Sequence, residues 1–400
     1  MSEGSSSHSK KRRQALPVHV TQGSATLPDE RTRWALHEQP FALEQGGCLD
    51  CVRVAYRTWG TLNAARDNAV VVCHAFAGSA DIDSWWPGML GPKRALDPER
   101  DFIVCSNVLG GCNGTTGACS LRPHLGLRYG PDLPLITVRD MVKLQIWLAH
   151  ELGIARVRMV IGGSLGGMQA LEWAIMAPEL VESVVVIAAS GRQSAWCMAL
   201  QETQRAAIEA DPAWKGGKYP PERPPGSGLA LARMMALCSQ RGRMSFERRL
   251  GAGAQDSQAA AVASYLKDRA GKFAARFDAN TYIGLTRALD SHDLARGRAD
   301  ARSVLGRIRA RTLIVSITTD VLYPVEEQAA LASAIPNARL AQLRSVHGHD
   351  AWLIELDALC ELVAAFRARA SHASASAPAP RAASMAVIPT KRKSHRAAVH

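Results

Sequence analysis

The chain has 400 residues, 47% apolar and 21% charged, the proportions of a folded domain rather than a fibrous or disordered chain. Its longest apolar runs, such as 184–189, fall far short of the roughly 20 residues a membrane-spanning helix needs, which excludes a membrane protein. The net charge of +12 sits at the ends, with +3 in residues 1–13 and +7 in 367–400, so the body is nearly neutral and neither a nucleic-acid nor a membrane partner is expected.

Residues 1–30 are Ser-rich and basic and predict a disordered tail without the apolar stretch of a secretory leader. Nine cysteines, an odd number scattered from 48 to 360, suit a reducing, cytoplasmic setting with free thiols. Cys48 and Cys51 form a lone Cys-x-x-Cys with no second pair and no histidine at ligand spacing, so no metal is expected.

Short β-rich runs then alternate with helical patterns. Asn68–Cys73, Phe102–Ser106, Val157–Ile161, Val181–Ala188 and Thr312–Ile317 predict buried strands. Thr137–Leu152 and Gln169–Met176 carry helical spacing, the second stopped by Pro178. Such alternation predicts an α/β fold with a mainly parallel sheet and helices on both faces. Between the last two strands lie about 120 residues of amphipathic stretches (Ser194–Ala210, Gly228–Ser239, Gln258–Lys272, Asn280–Leu289) interrupted by the Pro/Gly-rich Tyr219–Gly228. They predict a helical lid, 194–301, inserted into a core made of 40–193 and 302–370. From 372 to 400 the chain is Ala/Ser/Pro-rich and basic, a second disordered tail.

The chemistry centres on Gly162-Gly163-Ser164-Leu165-Gly166. This Gly-x-Ser-x-Gly lies between a predicted strand and a predicted helix, the setting of a nucleophile elbow. The serine there is held in a strained turn, and the flanking glycines leave room for neighbouring chain. The phosphate-loop pattern Gly-x4-Gly-Lys-Ser/Thr does not occur. A serine needs a base, and the base an orienting carboxylate, in chain order Ser, acid, His. Asp320, just after the strand 312–317, fits the acid, with Asp290 and Asp293 in the insertion as alternatives. His347 and His349, before the predicted helix 351–367, both fit the base, and spacing does not choose between them. The oxyanion hole is expected from the Leu165 amide and an amide near Ala75–Phe76.

These residues, with Ser106–Cys112, Gly114–Gly117, Thr137–Met141, Gly162–Glu172, Arg276–Tyr282 and Gly348–Asp350, resemble the homoserine O-acetyltransferases over about 55–367. The resemblance implies an α/β-hydrolase fold and acetyl transfer from the co-substrate acetyl-CoA to L-homoserine in methionine biosynthesis. It further implies a homodimer with no bound cofactor. It makes Ser164 the nucleophile, Asp320 the triad acid and His349 the base, Asp350 the partner of the substrate ammonium and Arg233 the partner of its carboxylate. Close relatives acylate serine or use succinyl-CoA, and a plain esterase or thioesterase would use the same triad. The Asp320 neighbourhood, Thr319–Pro324, is more like the acetyl than the succinyl enzymes. Two loops depart from the family pattern: His74-Ala75-Phe76-Ala77-Gly78 stands for His-Ala-Leu-Thr-Gly, and Thr115–Cys119 for a segment ending Ser-Thr-Gly-Pro.

Overall fold

A computed structural model describes residues 29–252 and 255–373; apart from a few edge residues, both expected tails lie outside the described residues. The chain forms ten strands: β1 (Arg33–His37), β2 (Phe41–Ala42), β3 (Cys48–Leu49), β4 (Val52–Trp59), β5 (Ala69–Cys73), β6 (Phe102–Ser106), β7 (Val157–Gly163), β8 (Ser183–Ile187), β9 (Arg311–Ile317) and β10 (Ala338–Leu343). Eight of them make one sheet in the order β1-β4-β6-β5-β7-β8-β9-β10, and β2 pairs β3 in a small ribbon. The pairs β1/β4 and β4/β6 are antiparallel, and every pair from β6 to β10 is parallel.

The central strands read as unbroken apolar runs because both faces of the sheet are covered. Along β5, Ala69, Val71 and Cys73 enter one core cluster while Val70 and Val72 enter the cluster on the opposite face, the two-residue period of a pleated strand. The edges carry weaker signals. Strand β10 buries only Leu343 fully, with Arg339, Leu340 and Gln342 exposed. Strand β1 is half-buried and precedes residue 40, so the core begins earlier than expected, because this edge strand buries too few residues to announce itself. At the other end the last helix, Leu356–Ala373, runs into the segment expected to open the second tail.

Among the described residues, the chain between β8 and β9 holds no strand. It folds as the helices Ala195–Glu209, Gly226–Gln240, Arg243–Leu250, Gln255–Ala274, Ala279–Asp290 and Ala301–Leu305, with a 3-10 turn at Lys215–Gly217. Its two ends are pinned together: the Gln193 N–H donates to the His292 carbonyl at 3.1 Å and the Leu294 N–H to the Gly191 carbonyl at 2.9 Å. Beneath that neck, Arg139 donates to Glu172 at 2.9 Å and to the carbonyls of Asp293, Leu294 and Arg296. No described helix is long and apolar enough to cross a membrane.

Candidate active site

Ser164 directly follows β7 and caps the helix Leu165–Met176 with φ 56° and ψ −123°. This left-handed backbone is costly for a side-chain-bearing residue and persists only where its surroundings over-determine it. They do so here. The Ser164 N–H donates to the Ile187 carbonyl at 2.9 Å, and its carbonyl accepts from Gly167 and Met168. A Cβ on Gly162 would sit 2.7 Å from the Cys73 carbonyl oxygen, and one on Gly166 would collide with that same oxygen. Both glycines therefore let the elbow press against the end of β5. The serine rests on a helix N-terminus, whose free N–H groups and dipole favour negative charge.

Asp320 lies in the loop after β9, and His349 in the 3-10 turn Gly348–Leu353. The Asp320 Oδ2 and His349 Nδ1 are 2.7 Å apart, and both residues are buried. The other oxygen, Oδ1, accepts from the amides of Leu322 at 2.8 Å and Tyr323 at 3.1 Å, so the carboxylate is fully occupied and fixed. Burial alone would lower the His349 pKa, but the Asp320 charge and hydrogen bond outweigh it and leave the ring more basic than an ordinary histidine. An Nδ1 proton held by Asp320 leaves Nε2 free as a base. Tyr323 packs its ring 5.3 Å from the His349 ring, and its hydroxyl faces Gln193 and Ser164.

The competing candidates stand elsewhere. His347 meets Ser245 Oγ at 2.8 Å rather than Asp320. Asp290 pairs with Arg205 at 2.7 Å, and Asp293 caps Ala295 and faces Arg192.

Leu165 is buried at the first turn of its helix, while Ala75 and Phe76 sit half-buried in the loop after β5. Gln169 joins these two parts, donating from Nε2 to the carbonyls of His74 (3.2 Å) and Leu165 (3.1 Å). Its own Oε1 accepts from Gln145 at 2.7 Å, and Gln145 accepts from Trp173 at 2.8 Å. A buried chain of amides thus fixes the loop against the elbow.

The insertion closes over the site with aromatic and cationic side chains. Phe76 stacks on Phe277 at 5.7 Å and meets Tyr282 edge-on at 4.9 Å. Arg233, on the helix Gly226–Gln240, lies 5.0 Å over the Phe273 ring and donates to Gln240 at 2.8 Å. Arg276 lies 5.5 Å over the same ring, and burial together with the Arg233 charge lowers its pKa. Two guanidinium groups against one ring form a concentrated positive site, apt for a carboxylate. Asp350 is ion-paired with Arg241 at 2.9 Å, so its negative charge is already shared within the protein. Sequence reasoning assigned no role to Arg276, Tyr323 or Gln169, although all three fall inside the quoted motifs; only Gln169 carried a signal, as a polar residue within the glycine-rich and apolar stretch 162–172.

Every cysteine is unpaired, and among the described residues no cluster of three or more His, Cys, Asp or Glu side chains is arranged to hold a metal.

Comparison with known proteins places this geometry. Residues 68–349 match the α/β hydrolase fold family. A homoserine O-acetyltransferase of Trichormus variabilis is 55% identical over 340 residues, 84% of this chain and 94% of that one. The chain belongs to the homoserine O-acetyltransferase family. Its members are acyltransferases. The crystal structure of the homoserine O-acetyltransferase of Bacillus anthracis matches with a TM-score of 0.78 at 26% identity, covering 84% of this chain and 97% of that one. Esterase E22 matches with a TM-score of 0.76 at 27% identity, over 84% of this chain and 100% of that one, so the family's fold also carries hydrolases.

Proposed function

We propose that the protein transfers an acetyl group from acetyl-CoA to the hydroxyl of L-homoserine, giving O-acetyl-L-homoserine and CoA for methionine biosynthesis. The observation that carries this reading is the 2.7 Å contact of His349 with Asp320, with Tyr323 meeting both the His349 ring and Ser164, the serine itself held at positive φ on a helix N-terminus. Ser164, its proton taken by His349, attacks the thioester carbonyl. The oxyanion is received by the amides of Leu165 and Phe76, and the CoA thiolate leaves with the proton from His349. The homoserine hydroxyl, deprotonated by the same histidine, attacks the acetyl-Ser164 ester; the bond to Ser164 Oγ breaks, His349 returns the proton to that oxygen, and O-acetyl-L-homoserine leaves. Arg233 and Arg276 hold the acceptor's carboxylate, and Asp350 its ammonium. The aromatic wall of Phe76, Phe277 and Tyr282 keeps water from the ester, favouring transfer over hydrolysis. In this reading the enzyme works in the cytoplasm as a homodimer without metal or prosthetic group.

The test is thiol release from acetyl-CoA without acceptor, with L-homoserine and with L-serine, repeated with succinyl-CoA. Multiple turnovers are expected only with acetyl-CoA and homoserine together. Equal turnover without acceptor would instead make the protein a hydrolase, the activity for which esterase E22 is named. Turnover with serine or succinyl-CoA alone would move the substrate assignment.

A further inference from the structure

His74 opens the loop expected to supply the second oxyanion-hole amide, and its imidazole is buried. The Val108 backbone N–H points at Nε2 from 3.0 Å. An amide nitrogen only donates, so Nε2 accepts, and a neutral ring then carries its proton on Nδ1. That nitrogen lies 2.8 Å from the carbonyl oxygen of Ala75 and donates to it. Burial supports the neutral form, pushing the ring's pKa down to about 4. The same Ala75 oxygen accepts from the Gly78 N–H at 2.9 Å, and a Cβ on Gly78 would press to 3.0 Å against the His74 side chain.

In a planar trans peptide the C=O and N–H point in opposite directions. Two donors on the Ala75 oxygen therefore fix the plane of the 75–76 peptide and turn the Phe76 N–H away from the imidazole. Among the described residues that N–H meets no acceptor, and neither does the Leu165 N–H. Gln169, bonded to the carbonyls of both His74 and Leu165, sets these two amides in one frame.

We propose that His74 is a positioning residue: its Nδ1–H, held by the Val108 amide on the opposite nitrogen, anchors the Ala75 carbonyl so that the Phe76 amide stays aimed at the oxyanion. The imidazole gains and loses no proton in the cycle and touches no reacting atom. A flip of the 75–76 peptide would present a carbonyl to the developing negative charge and remove one of two donors, a loss of the order of 100-fold in acylation. The Gly-rich segment thereby acquires a role in catalysis, because Val108 holds the tautomer and Asn113 Nδ2, donating to the Gly78 carbonyl at 3.0 Å, holds the far end of the loop.

The inference rests on the reading that Ser164 is acylated, and it is tested with p-nitrophenyl acetate, whose chromophore reports acylation whichever thioester and acceptor are natural. His74→Leu should lower the acylation rate constant about 100-fold with little change in the binding term. His74→Asn, whose amide N–H occupies the place of Nδ1, should recover at least tenfold of that. Equal losses in both variants, or a loss confined to KM, would overturn the proposal while leaving Ser164 in place. Failure of the wild type to acylate overturns both readings. For variants that do not fold, ¹⁵N-histidine NMR of the wild-type protein gives the answer directly: a neutral ring protonated at Nδ1 is expected, and a proton on Nε2 refutes the anchor.

Discussion

On the sheet side of the cleft, Ser164, Leu165 and Phe76 offer a hydroxyl and main-chain amides whose directions are set by a glycine-flanked turn, buried amide bonds and a helix N-terminus. On the insertion side, Arg233 and Arg276 offer long side chains laid over Phe273, and Arg241 shares a charge with Asp350. The first construction tolerates almost no displacement, which suits bond making, where a donor must stand ready before charge appears. The second is adaptable, which suits recognition of a small zwitterion by its two ends. The same division fits a family whose fold is shared by esterases and acetyltransferases: on the proposed function, the rigid half would perform acyl-enzyme chemistry and the insertion would decide what receives the acyl group.

The sharpest break of this division is Asp320→Asn. It preserves the shape of the carboxylate but removes the charge that raises the His349 pKa, and it permits the wrong imidazole tautomer. The acyl-transfer rate should fall by about 10⁴, in acylation and deacylation alike. Wild-type activity should rise with pH through an apparent pKa above the ordinary histidine value, since the free base is needed and the folded ring holds its proton. In the variant, residual activity should titrate lower. Pre-steady-state CoA release across pH 5–9 measures both, and an unchanged midpoint would separate His349 from Asp320.

Arg233→Leu tests the other half. The burst of CoA that accompanies acylation should persist, while kcat/KM for the amino-acid acceptor falls roughly 30-fold, the loss of about 2 kcal/mol expected when a charged hydrogen bond to a carboxylate is removed. Acceptors lacking a carboxylate should then be used equally by both proteins. A collapse of the burst itself would mean that the insertion also shapes the acylation step, and the division would fail.

The same division governed what the sequence disclosed. Central strands announce themselves because burial on both faces demands continuous apolar runs, and the elbow because its glycines have no alternative at Gly162 and Gly166. The pairing of His349, not His347, with Asp320 was hidden from spacing: it depends on Gly348 adopting φ 65° against the backbone of Gly242, a contact supplied by the insertion. The edge strand β10 was hidden because its residues face water. Arg276 and the tie of Asp350 to Arg241 were hidden for a related reason: long side chains meet across elements far apart in sequence, and composition carries no trace of the meeting. The Thr137–Asp140 motif proved to be scaffold, a capping box in which Thr137 and Asp140 satisfy each other's amides.

The last expected effect touches stability rather than rate, and appears at mildly acid pH. Burial pushes two histidines, His74 in the oxyanion loop and His292 at the neck of the insertion, down to about 4. In the unfolded chain each takes up a proton near pH 6.5, whereas in the folded chain each resists until about pH 4, so between these limits the unfolded state binds more protons. Stability is therefore present above pH 6.5 and is lost as the pH falls toward 4, with a slope of up to about 1.4 kcal/mol per pH unit for each ring. His349 has the opposite sign: its raised pKa contributes stability below pH 6.5 and loses it above, so its change falls outside the acid window. Urea denaturation at pH 7, 6 and 5 should show the decline, and His292→Asn should remove about half of its slope by sparing the neck alone. A profile flat from pH 7 to 5 would mean that water reaches both rings. The loop and the neck would then lack the dry packing on which the rigid half of the site depends.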